Sequence, residues 1–166
     1  MGIHLQRGQL AVSRLWLIKA FCRIGEYLIV NVEEIYIWEG EVRDNETDLQ
    51  GIVNNSNYFI YMAHTRHKHL KVLGVDFAEA AQQGYHLVLV HTDISFKDSL
   101  KSGDLFSVTS KIETKGKIRV AFLQKVIRRS DNKVVAEATN TTTCIHTKTG
   151  RPRFPEEIKK LFWRRN

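Results

Sequence analysis

The chain has 166 residues, 43% of them hydrophobic, with a formal net charge of +7 and a sequence pI near 9.5. That length supports one compact domain with its own core and is short for two. The positive balance attracts polyanions, yet the basic residues are scattered, and no zinc-finger, aromatic RNA-binding or basic-zipper pattern occurs, which argues against a nucleic-acid partner.

Residues 9–30 are apolar but interrupted by Arg14, Lys19, Arg23 and Glu26. That spacing defeats a spanning helix and leaves no clean signal-peptide core. Residues 1–31 therefore read as a leader, either a short amphipathic helix or a segment outside the main domain. A membrane-surface anchor through Leu15, Trp16, Ile18 and Phe21 is the weaker alternative. Cys22 and Cys144 lack metal-ligand spacing and are too few for a disulfide framework, so a reducing cytoplasm is the expected compartment.

Ile35, Ile37 and Val42 mark a first strand that ends in the polar run 43–47. From 56 to 73 the apolar positions Tyr58, Phe59, Met62, Leu70 and Leu73 recur three and four residues apart, predicting a long amphipathic helix stopped by Gly74. A brief helix follows over 76–83. Four strands are then expected over 85–97, 104–114, 117–129 and 133–146, with turn-rich connectors at 115–117 and 130–133 that favour antiparallel hairpins. Pro155, Glu156 and Glu157 suit the start of a short final helix. One strand, a long helix and an antiparallel meander make an α+β pattern, in which the sheet buries one face on the helix.

The chemistry concentrates where the first strand hands over to the long helix. Asp48 precedes a glycine-containing turn that ends at a helix N-terminus, where unpaired amides and the positive dipole end collect. A carboxylate there can attack an acyl group or activate water, while free amides hold the developing oxyanion. The competing role for Asp48 is to cap a turn. Asp44 and Glu46 nearby are expected to be solvated. Asn54, Asn55 and Ser56 compete as N-caps, Gly51 serves either close backbone approach or an unusual dihedral angle, and Tyr58 reads as pocket wall or core. His64, His67 and His69 share the helix, but no third or fourth convergent ligand accompanies them, so no metal is expected. No serine elbow, cysteine triad or nucleotide-binding glycine loop is present.

Through Asp48, Gly51, Ile52, Val53, Asn54, Asn55 and Tyr58, and further through Tyr61, Arg66 and the run Asp93, Ile94, Ser95, Phe96, the chain resembles hotdog-fold acyl-CoA thioesterases of the 4-hydroxybenzoyl-CoA thioesterase type. The likeness spans about residues 33–147. It implies a hotdog fold, an antiparallel sheet wrapped around one long central helix, over 32–148, with 149–166 as a C-terminal tail carrying a short helix. It also implies hydrolysis of an acyl-CoA to free acid and coenzyme A, without a cofactor. Asp48 would be nucleophile or general base, and the Asn55 amide the oxyanion donor. Gly51, Val53, Asn54, Ser56 and Tyr58 would line the substrate site. Lys115, Lys117 and Arg119, with Arg128 and Arg129, would bind the nucleotide phosphates. Two departures stand out: Asn55 replaces the His or Tyr of many members, and Ala63 replaces a helical Glu. A homodimer or homotetramer is implied. An acidic acyl carrier protein as substrate carrier, or a catalytically silent acyl-binding protein, are the alternatives.

Overall fold

The computed structural model describes residues 35–163. The expectation for residues 1–31 lies outside the described residues. Five strands, β1 (Tyr36–Glu41), β2 (Tyr85–Phe96), β3 (Leu105–Lys115), β4 (Arg119–Arg128) and β5 (Lys133–His146), form one sheet in the order β1-β3-β4-β5-β2. Every neighbouring pair is antiparallel. Three helices accompany it: α1 (Asn55–Val72), α2 (Phe77–Gln82) and α3 (Glu156–Phe162). Each predicted element forms within two residues of its expected bounds, because the apolar periodicity and the turn residues point to the same boundaries.

The side-chain alternation of the strands puts one apolar set on a single face. Trp38 is opposite Val108, Val108 opposite Val126, and Val126 opposite Ala136. These residues, with Phe106 and Ala138, join Tyr58, Tyr61 and Met62 of α1 in one buried cluster. α1 thus lies along the sheet with its first turns over Phe106 and its later turns over Ser110, through a Tyr61–Phe106 ring contact at 4.5 Å and a His69–Ser110 contact at 3.1 Å. Ala136 and Ala138 supply the short side chains that let the helix come close.

Beyond β5, residues 149–163 fold back onto the domain. Arg153 N–H donates to Cys144 C=O, and Phe154, Ile158 and Phe162 are buried. The Trp163 indole N–H donates to Gly116 C=O at 2.7 Å, tying the end of α3 to the β3–β4 hairpin tip. No helix among the described residues is long and apolar enough to cross a membrane.

Candidate active site

Hydrogen bonds at both ends pin the segment between β1 and α1 onto the β2–β3 connection. Val42 N–H donates to Asp104 C=O at 3.0 Å and Val53 N–H to Leu100 C=O at 2.8 Å. Between these pins Thr47 bridges Val53, Asp48 N–H donates to Ile52 C=O at 2.8 Å and Gly51 N–H to Asp48 C=O at 3.0 Å. The chain reverses over 48–52, and Gly51 takes φ +73° to do so. No atom crowds the position of a Gly51 Cβ, so the left-handed dihedral rather than close packing requires glycine.

Asp48 is partly buried on this turn. Its Oδ1 accepts the Gln50 N–H at 2.8 Å, while Oδ2 has no hydrogen bond among the described residues. One carboxylate oxygen is therefore oriented and the other available for chemistry. The turn-capping role is thus present on this side chain, and it leaves the second oxygen unoccupied among the described residues.

Asn54 caps α1: its Oδ1 accepts both the Ser56 N–H at 2.9 Å and the Ser56 hydroxyl at 2.7 Å. Its own N–H donates to Glu46 C=O at 3.0 Å, which binds the helix start to the strand side of the turn. The Asn55 N–H has no partner among the described residues, and Asn55 is exposed. A donor at the first helical position, carrying the positive end of the helix dipole, is thereby left open at the start of α1.

The fold brings Asp48, Gly51, Val53, Asn54, Asn55 and Ser56 together around one turn and one helix start. Val53 lies in the core rather than on the surface. Tyr58 is buried, with its hydroxyl accepting the Leu100 N–H at 3.1 Å and its ring edge-on to Phe96 at 5.4 Å. It supports the floor.

The fold does not bring Lys115, Lys117 and Arg119 there. They are exposed on the β3–β4 hairpin at the far end of β3, roughly 30 Å of strand from Leu105, near which α1 begins. Arg128 does lie at the correct end but is committed within the chain. Its guanidinium donates to Ser99 C=O at 2.7 Å, Asp98 at 3.0 Å and Asp131 at 2.7 Å. Arg129 pairs with Glu39 at 3.1 Å. The histidines each find a packing role: His64 edge-on to Trp38, His67 against Phe77, and His69 buried on Ser110.

Glu46 corrects the sequence reading. Its Oε2 accepts the Tyr61 hydroxyl at 2.7 Å and the Arg43 N–H at 2.9 Å, so it is a fixed partner rather than a solvated charge. Burial, and then the Glu46 hydrogen bond, push the Tyr61 phenol far above its ordinary pKa. Asp44 likewise accepts from the Ser102 hydroxyl. Both pairings join residues far apart in sequence, and no local pattern announces them. They border a cleft of about 790 Å³ walled by Trp38, Tyr61, His64 and Phe106. At 100° per residue, Tyr61 and His64 occupy the flank of α1 opposite Asn55 and Phe59, so this cleft is distinct from the Asp48 turn.

The sequence model of the thioesterase-like superfamily matches residues 42–162, which takes in the Asp48 turn, α1, the sheet and α3. The chain belongs to this superfamily. Among curated relatives of the thioesterase, a chloroplastic acyl-acyl carrier protein thioesterase of Arabidopsis thaliana is 30% identical over 131 residues, covering 79% of this chain and 69% of that one. A putative esterase of Aquifex aeolicus is 31% identical over 127 residues, covering 76% of this chain and 96% of that one. A solved 1,4-dihydroxy-2-naphthoyl-CoA thioesterase from Synechocystis matches with a TM-score of 0.73 at 18% identity, over 79% of this chain and 97% of that one. A Staphylococcus aureus protein solved in complex with CoA matches with a TM-score of 0.70 at 18% identity, over 81% of this chain and 87% of that one. The fold is the expected α+β hotdog, and the protein is a thioester hydrolase.

Proposed function

We propose that this thioesterase hydrolyses an acyl-CoA to the free acid and coenzyme A, and that the Asp48 turn and the start of α1 are its active site. The observation that carries the reading is the pairing of a half-free carboxylate on Asp48 with the open Asn55 amide at a helix N-terminus. The thioester carbonyl oxygen would accept the Asn55 N–H, which stabilises the oxyanion as the tetrahedral centre forms. The free Asp48 oxygen would attack the carbonyl carbon or take a proton from water that does so. Within the superfamily, the sequence from Asp48 to Tyr58 supports the 4-hydroxybenzoyl-CoA thioesterase type.

The proposed working unit is at least a homodimer. β2 is an edge strand, and Leu89, Val90 and Phe96 on it are exposed. Leu49, beside the proposed catalytic residue, is fully exposed as well. Antiparallel pairing of β2 with a second copy about a two-fold axis turns that copy end for end. Its β3–β4 hairpin then lies at the end where the first copy's α1 begins. Lys115, Lys117 and Arg119 would reach the coenzyme A phosphates across the interface rather than within one chain.

A second reading, acyl carrier protein as the thioester carrier, draws support from the Arabidopsis relative and from the net charge of +7. A reducing compartment such as the cytoplasm suits the buried Cys144, which has no disulfide partner among the described residues and whose thiol burial pushes up to about 11.

Asp48→Asn is the test. It preserves the turn, and a several-hundredfold fall in kcat/KM with unchanged thermal stability is expected. Unchanged hydrolysis would remove Asp48 from the mechanism. Matched acyl-CoA and acyl-carrier substrates at two salt concentrations decide the carrier: a clear preference for the protein-bound thioester, weakened by salt, favours the second reading.

A further inference from the structure

Arg66 sits three turns into α1 on the flank that also carries Asn55 and Phe59, since all three fall within a narrow arc at 100° per residue. It is partly buried, and its Nη1 donates to Gln124 Oε1 at 2.9 Å. Gln124 is itself fixed: Oε1 also accepts from Asn140 Nδ2 at 2.9 Å, and Nε2 donates to Met62 C=O at 3.0 Å. Asn140 Oδ1 accepts the Thr92 hydroxyl at 2.9 Å. One polar chain therefore runs from α1 across β4 and β5 to the edge strand β2.

Arg66 is the one charge in that chain. No carboxylate lies within 4.0 Å of it among the described residues, and burial lowers its pKa to about 10. A cation withdrawn from water without a counter-charge is costly. Only Nη1 has a hydrogen-bond partner among the described residues, and no buried side-chain nitrogen or oxygen there lacks one, so Nε and Nη2 retain accessible surface. Gln124 thus holds the guanidinium by one corner and leaves donors facing reachable space. Towards the helix start the surroundings turn apolar, with Phe59 and Met62 on α1 and Phe96 packed on Tyr58. Ala63, short and partly exposed, adds no bulk.

We propose that the acyl group extends from the Asn55 amide along this flank of α1 to Arg66, and that Arg66 selects acyl chains ending in a carboxylate. This rests on the hydrolytic reading of Asp48 and Asn55. Asn55 and Arg66 are roughly 16 Å apart along the helix axis, and a helical side chain leans back towards the N-terminus, which shortens the span to a medium-length chain. The far carboxylate would accept two parallel N–H bonds from a guanidinium already held in place. The apolar stretch between would take the methylenes.

The experiment compares hexanoyl-, octanoyl- and decanoyl-CoA with adipoyl-, suberoyl- and sebacoyl-CoA on the purified full chain. At least one carboxylate-ended member is expected to exceed its plain counterpart about 10–100-fold in kcat/KM, the worth of a charge-assisted hydrogen bond. Arg66→Met should abolish that preference while leaving plain substrates within a few-fold, and Arg66→Lys should restore part of it. A purely structural Arg66 would instead lower both series together. Should Arg66→Met fail to fold, the wild-type panel still decides. Hydrolysis of the plain series with no preference for the carboxylates overturns the selection and leaves Asp48 standing; hydrolysis of neither series overturns the selection, and Asp48→Asn on a thioester the chain does hydrolyse decides Asp48 separately.

Discussion

At the residue scale, two positions, half-buried Gly40 and buried His69, show how little slack the packing has. A Cβ added to Gly40 would stand 2.9 Å from both Phe106 and Trp38, two rings packed edge to face at 5.6 Å. Gly40→Ala is expected to destabilise the fold by about 1–3 kcal/mol, seen as a Tm lowered by several degrees in a calorimetric or fluorescence melt. His69 is buried, with Nδ1 3.1 Å from the Ser110 hydroxyl and its ring stacked on Tyr36 at 5.2 Å. Burial lowers its pKa from the model-compound value of 6.5 to about 4. The unfolded chain thus binds a proton that the folded chain resists over that window, so His69 costs nothing above about pH 6.5 and drains stability as pH falls from there towards about 4. Denaturant midpoints at pH 7.5, 5.5 and 4.5 should show this loss, and a His69→Gln variant should show a flatter profile over the same range. An identical slope in the variant would exclude His69 as its source.

At the element scale, α1 carries the proposed chemistry, and its first turn is held by the Asn54 cap and by Asn57, whose Nδ2 donates to Glu46 C=O at 2.7 Å. Asn54 satisfies the Ser56 amide and hydroxyl while its own amide reaches across to Glu46. Asn54→Ala removes the acceptor and is expected to lower unfolding free energy by about 1 kcal/mol, whereas Asn54→Ser should retain most of it. Chemical denaturation of both variants checks the order. The long helix and the four later strands were legible because their signals are local: apolar spacing of three and four for α1, alternation for β3, and turn residues between strands. The helix starts at Asn55, three residues ahead of Tyr58, the first residue of the apolar stripe, because the cap, not the stripe, sets the start. The 3-10 turn Asp44–Glu46 shows in sequence only as a polar run with two acidic side chains expected in solvent, since its fixed points, Tyr61 and Ser102, are supplied by distant segments.

At the scale of the whole molecule, the edge strand β2 is where the proposed homodimer is tested. Leu89→Lys and Val90→Lys place charges on that exposed edge, and light scattering is expected to show a smaller particle together with loss of hydrolysis if the site is shared between copies. An unchanged mass would overturn the β2 pairing. The amino-acid sequence by itself determined the elements, their order and the turn that carries the proposed site at Asp48 and Asn55, because strand alternation, helical spacing and a turn-forming glycine act over a few residues. Only the tertiary structure decided that Lys115, Lys117 and Arg119 stand a strand's length from that turn and that Glu46 is bound to Tyr61. It alone placed Arg66 on Gln124 without a carboxylate partner among the described residues. Those facts depend on which face of a strand meets which turn of a helix, a choice made by packing across 15 positions of chain for Glu46 and Tyr61 and 58 for Arg66 and Gln124 rather than by neighbours in sequence.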